Sequence, residues 1–167
     1  MKNGLVISDS GPIFSLAVVD KLELLEGLFD EIHIPKAVWE EVTRDKTTEH
    51  YPKIVAYFQD RIKEIAGSNK LTFVMDYGES EAVILYNELN ADFLLIDDKK
   101  ARDIAENFGI SCVGTIGILS IAREKGMVGE LRPIFQSFLK NKRFYSLKLL
   151  NMILKRHNEE EIENEAQ

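Results

Sequence analysis

Apolar positions along the chain fall into short, nearly unbroken runs, and longer stretches of helical spacing separate them. Leu5 to Ser8 (LVIS), Glu31 to Ile34 (EIHI), Phe93 to Ile96 (FLLI) and Ser111 to Val113 (SCV) read as strands. They lack strict apolar/polar alternation, which suits strands covered on both faces, and the segments between them are long enough for right-handed crossovers in a parallel sheet. End signals place the helices. Pro12 suits the first turn of a helix from Pro12 to Val19, followed by Leu22 to Leu28; Pro35 opens PKAVWEEV. Pro52 to Ala66 carries helical spacing whose end reads equally as a strand. Gly78 precedes ESEAVILYNEL, Gly109 closes DDKKARDIAENFG, and Gly114 with Thr115 opens the next helix. Leu131 to Leu139 and Leu147 to Arg156 then form a helical hairpin.

The predicted fold is a three-layer α/β/α domain with a mainly parallel central sheet and a C-terminal helical extension. Its expected organisation is a domain over 1–128, the extension over 129–156 and an acidic, disordered tail over 157–167.

Composition narrows the function classes. A chain of 167 residues with 45% hydrophobic and 29% charged residues buries a sizeable core without a disulfide or metal staple. The single Cys112 forms no intramolecular disulfide and builds no thiolate metal site, so a reducing cytoplasm is the expected compartment and core packing the expected role. No run of apolar residues is long enough for a membrane span or a signal peptide. The net charge of −7 disfavours holding nucleic acid by bulk electrostatics. The stretch from Leu139 to Arg156 reverses that balance with Lys140, Lys142, Arg143, Lys148, Lys155 and Arg156 and no acid, as a solvated helix face or a local basic surface.

Acidic residues occupy four comparable places in this layout, one of them shared by Asp97 and Asp98. Asp9 follows the first strand, Asp97 and Asp98 follow FLLI, Glu41 lies in the helix after EIHI, and Glu79 lies in the first turn of the helix after Gly78. Ligands of open parallel sheets bind beyond the carboxyl ends of the strands, so these side chains are expected to converge on one crevice. Carboxylates gathered this way repel until a cation neutralises them. An all-oxygen set without Cys pairs or paired histidines suits Mg²⁺ or Mn²⁺ and not Zn²⁺, and such ions activate water for phosphodiester hydrolysis without a protein nucleophile.

Each residue alone also has a structural reading. Asp9 heads an Asp-Ser-Gly-Pro turn, Glu40 and Glu41 suit a solvated helix face, Glu79 and Glu81 complement a helix dipole, and Asp97 suits a cap for the helix starting at Lys99. Ser10 is expected to orient Asp9 or a water, and Thr115 to contact a phosphate or cap its helix. Trp39 is placed to stack a base or to pack in the core. Phosphate-loop, GxGxxG, GxSxG and Cys–His signatures are absent.

The segments VISDSGPIFSL, IPKAVWEEV, DYGESEAVILYNELNADFLLIDDKKARDIAENFGI and VGTIGIL, in register from Leu5 to Lys125, resemble the PIN-domain ribonucleases, especially a prokaryotic branch related to the toxins of VapBC toxin–antitoxin pairs. The resemblance implies a metal-dependent endoribonuclease cutting single-stranded RNA with Mg²⁺ or Mn²⁺, a protein antitoxin as partner, and a homodimer. Asp9 matches the family's first aspartate, Glu41 the glutamate after the second strand, and Glu79 the third acidic position. Glu81 is its competitor there. Asp97 and Asp98 together match the fourth. The third position is often aspartate in the toxins, and Ile96 stands where a threonine or serine is usual. Lys99, Lys100, Arg102 and the basic stretch are the expected phosphate contacts, with Ser10 and Thr115 beside them. Leu147, Leu149, Leu150, Ile153 and Leu154 suit a dimer surface or core packing equally. Two other readings stand beside the nuclease: a receiver-like phosphoacceptor signalling domain and a catalytically silent PIN-like binding module.

Overall fold

The computed structural model describes residues 2–164, and they form three layers. In chain order the elements are β1 (Leu5–Ser8), α1 (Ser10–Val18), α2 (Leu24–Leu28), β2 (Glu31–Pro35), α3 (Lys36–Val42), α4 (Tyr51–Phe58), β3 (Ile62–Lys63), α5 (Tyr77–Glu88), β4 (Phe93–Leu95), α6 (Lys99–Asn107), β5 (Cys112–Val113), α7 (Thr115–Glu124), α8 (Leu131–Lys140) and α9 (Leu147–Arg156). The five strands lie in the order β3-β2-β1-β4-β5, and every pairing is parallel.

Register sets which side chain enters which layer. On β1, Val6 faces one core and Ile7 the other; on β4, Leu95 joins the first core while Leu94 joins the second. That alternation is the period-two geometry of a strand, and both faces are apolar because helices cover both. The larger core takes in Leu16, Leu25, Phe58, Leu119, Phe135 and Leu150. The smaller is closed by Ala82, Val83 and Leu85 of α5 and by Ala101 and Ala105 of α6.

The segment from Pro52 to Ala66 resolves into both elements it suggested. α4 stops at Phe58, Arg61 turns back to bond Phe58, and Ile62–Lys63 pairs with β2 at the sheet edge. The C-terminal hairpin packs into the larger core, where Phe135, Phe138, Leu150 and Leu154 are fully buried. Leu150, Ile153 and Leu154 are therefore core residues, with Leu147 and Leu149 packed against them. Of the expected tail, residues 165–167 lie outside the described residues. Before them, Glu159 accepts bonds from the Leu131 and Arg132 amides, and Asn151 holds both backbone polar groups of Ile162. Among the described residues no helix is long and apolar enough to cross a membrane.

A candidate acidic metal centre at the switch point

β1 sits at the centre of the sheet, and the chain runs outward from it in opposite directions through β2 and β4. The carboxyl ends of β1 and β4 flank this reversal of strand order, where open α/β sheets form their ligand crevice. Asp9 leaves the end of β1, its amide still bonded to the Leu95 carbonyl at 2.9 Å, which ties it to the end of β4. It occupies the N-cap position of α1, yet its carboxyl makes no capping bond. The side chain is only 6% exposed. Burial, and then the charges of Glu79, Glu41 and Asp76, push its carboxyl up to about 8, against a smaller lowering by the Ser10 amide.

Glu41 comes from α3, half-buried while its neighbour Glu40 is exposed. Ser10 Oγ donates to Glu41 Oε1 at 2.9 Å, so Ser10 orients Glu41 rather than Asp9. Gly78 lets α5 approach closely: a Cβ there would stand 2.7 Å from Glu41 Oε2 and 3.7 Å from Asp9 Oδ1. Glu79, one residue on, belongs to a capping box in which Asp76 accepts from the Glu79 amide and Glu79 accepts from the Asp76 amide. Burial is the first cause that raises the Glu79 carboxyl to about 7, with Asp76, Asp98 and Glu41 adding repulsion. Asp76 was not singled out in the sequence; the D-x-x-E spacing of Asp76 and Glu79 was the available signal.

Glu81 is directed elsewhere. Two residues along a helix is more than half a turn, and Glu81 Oε2 accepts from the Ala37 amide at 2.9 Å, satisfying one of the free N–H groups that open α3. Of the Glu79–Glu81 pair, Glu79 faces the cluster.

The Asp97–Asp98 pair also divides. Asp98 is exposed and caps α6 through the Ala101 amide, the role the sequence had suggested for Asp97. Asp97 is held instead by Thr115, whose amide and hydroxyl each donate to it at 2.7 Å, and by the Tyr145 hydroxyl at 2.7 Å. Thr115 is the first residue of α7, with Gly114 as N-cap, so the hydroxyl expected to meet a phosphate is engaged with Asp97. Lys99 pairs with Asp103 at 2.9 Å, and Arg102 donates to the Asp97 carbonyl. Lys100 shares with Asp76, Glu79 and Asp98 a cavity of about 380 Å³ whose rim carries Phe73. Trp39 packs against the larger core. Cys112 is half-buried, and burial lifts its thiol to about 11.

The donor set gathered at the switch point is composed of carboxylates alone, the chemistry hard divalent cations select. As the side chains lie, no three of the described residues' His, Cys, Asp or Glu groups enclose a common ion-sized point.

Comparison with known proteins agrees with this architecture. Among curated proteins the chain has no match. A PilT N-terminus domain protein from the hyperthermophilic archaeon Sulfolobus solfataricus P2 superposes with a TM-score of 0.50 at 19% identity, over 71% of this chain and 92% of that one. At that identity the likeness speaks for the fold. A family model described as PIN domain matches residues 5–159, from β1 to beyond α9. Members of that family are generally hydrolytic nucleases, and the chain belongs to the PIN-domain family.

Proposed function

We propose that this PIN domain is a metal-dependent endoribonuclease that hydrolyses phosphodiester bonds of single-stranded RNA. The observation that carries the reading is the placement of Asp9, Glu41 and Glu79 at the switch point, near enough for Glu79 and Glu41 to raise the Asp9 carboxyl, with Gly78 leaving room beside Glu41 and Asp9. Asp9, Glu41 and Glu79 would hold Mg²⁺ or Mn²⁺, with Asp97 and Asp98 at the flank. A bound ion would supply charge neutralisation, a more acidic water and polarisation of the phosphate. The chain's own residues prepare that chemistry. Asp9 and Glu79 keep protons near neutrality while the site is metal-free, and Ser10 fixes the Glu41 carboxyl. Lys100, which lines the same cavity as Glu79 and forms no ion pair among the described residues, offers a positive charge to the RNA backbone. The similarity of the motifs to toxins extends the proposal to a protein antitoxin as regulator and to a homodimer.

The reading is tested on a mixed RNA pool with added Mn²⁺. Wild type is expected to cut, and both chelator and Asp9→Ala are expected to abolish cutting while the variant stays folded. Full activity in Asp9→Ala would exclude this site.

The spread of the carboxylates favours one other reading, a catalytically silent binding module. It predicts a folded protein that Mn²⁺ neither stabilises nor activates. A receiver-like phosphoacceptor is the weaker alternative, because Lys99 is paired with Asp103 and the segment VGTIGIL carries no lysine.

A further inference from the structure

The loop between α8 and α9 reaches back across the molecule to Asp97. Tyr145 Oη lies 2.7 Å from Asp97 Oδ2 and 2.6 Å from Ser15 Oγ. Ser15 Oγ in turn accepts from Arg143 Nε at 2.9 Å, and Arg143 Nη2 donates to the Gly11 carbonyl at 2.9 Å.

The direction of this chain is set by its ends. A guanidinium only donates and a carboxylate only accepts, while each hydroxyl has one proton to give. Arg143 therefore donates to Ser15, Ser15 to Tyr145, and Tyr145 to Asp97. Bonds aligned in this way strengthen one another. With Thr115 donating once to each oxygen, Oδ2 of Asp97 has both lone pairs used and Oδ1 keeps one. Gly114 leaves the carboxyl its room, since a Cβ there would stand 3.1 Å from Oδ1. Tyr145 also packs against the larger core. Its ring is already seated against Phe138, with centroids 5.2 Å apart.

We propose that Tyr145, backed by Ser15 and Arg143, is a positioning residue that fixes the rotamer of Asp97 and leaves one Asp97 oxygen position free for the metal, which makes the α8–α9 loop part of the active centre. This rests on the reading of the acidic cluster as a divalent-cation site. Partners that orient metal-ligating side chains are typically worth 10–100-fold in metal affinity or activity.

The test is Mn²⁺ titration by calorimetry, with circular dichroism and a melt on the metal-free protein and RNA cleavage as a separate readout. Tyr145→Phe keeps the ring and loses only the hydroxyl. It is expected to melt cooperatively, bind Mn²⁺ at least about tenfold more weakly, and lower kcat with KM for RNA unchanged. Ser15→Ala breaks the relay one bond further back and is expected to show a smaller loss of the same kind; it decides the matter should Tyr145→Phe fail to fold. Wild-type Mn²⁺ affinity in both folded variants overturns the positioning role and leaves the nuclease reading intact. A wild type that binds Mn²⁺ but cuts no RNA overturns the nuclease reading, and the affinity ratio still decides the role of Tyr145. A folded wild type that binds no Mn²⁺ overturns both.

Discussion

Asp9→Asn is expected to stabilise the metal-free protein while removing the activity proposed for it. The Asp9 carboxyl rises from 3.8 to about 8 in the fold, chiefly through burial and then through Glu79 and Glu41. Folded protein thus holds this proton more tightly than unfolded chain does. Stability from this group is complete below the unfolded value of 3.8 and drains away until pH passes the folded value of about 8. At ~1.4 kcal/mol per pH unit the full cost is on the order of 5 kcal/mol, an upper bound because neighbouring carboxyls share the protons. Asparagine never ionises, so its advantage is expected to be small near pH ~4, to widen through the neutral range and to level off above pH ~8. For a chain of this size each kcal/mol moves the melting temperature by roughly 2–4 °C, so a gap of about 10 °C at high pH is expected. Thermal unfolding of both proteins in chelator across that range measures it. A gap that stays constant with pH, or an Asp9→Asn protein less stable at alkaline pH, refutes the argument that Asp9 is a charge held at the expense of the fold.

Other perturbations separate the neighbouring residues. Gly78→Ala places a Cβ 2.7 Å from Glu41 Oε2, the oxygen that Ser10 does not hold at the far end of a long side chain, so the fold is expected to hold within about 1 kcal/mol by urea unfolding. Its Mn²⁺ affinity by calorimetry is expected to fall at least ~10-fold; unchanged affinity counts against a cation between α3 and α5. Glu81→Ala strands the Ala37 amide and is expected to cost roughly 2 kcal/mol of stability while Mn²⁺ affinity persists. Glu79→Ala is expected to do the reverse, losing Mn²⁺ binding for roughly 1 kcal/mol of capping, and an inverted pattern in the two titrations would exchange their roles.

Much of this arrangement was legible along the chain because local rules decide it. Asp9, Asp97 and Asp98 directly follow apolar runs, and a parallel sheet puts strand ends on one side. The choice between Glu79 and Glu81 stayed open along the chain, although Asp76 with Glu79 has the spacing of a capping box. What the sequence hid is tertiary. Arg143 and Tyr145 stand in what reads as a basic, solvated extension, yet they contact Ser15 and Gly11 across more than a hundred residues of chain. No periodicity announces such a contact. The division of labour between Asp97 and Asp98 has the same origin: both follow β4, and only the position of α7 and the α8–α9 loop makes one an anchored carboxylate and the other a helix cap.

The carboxylates at the ends of β1 and β4, with Glu41 and Glu79, are proposed to form one divalent-cation site. Calorimetric titration of the wild-type protein with Mn²⁺ near neutral pH, in buffers of different ionisation enthalpy, tests it most directly. The account predicts binding that releases protons, because Asp9 at about 8 and Glu79 at about 7 are still partly protonated there, and affinity that rises with pH. It also predicts that Asp9→Ala, folded, loses the binding and the proton release together. A folded wild type that takes up no Mn²⁺, or an Asp9→Ala protein that binds it equally well, contradicts the account.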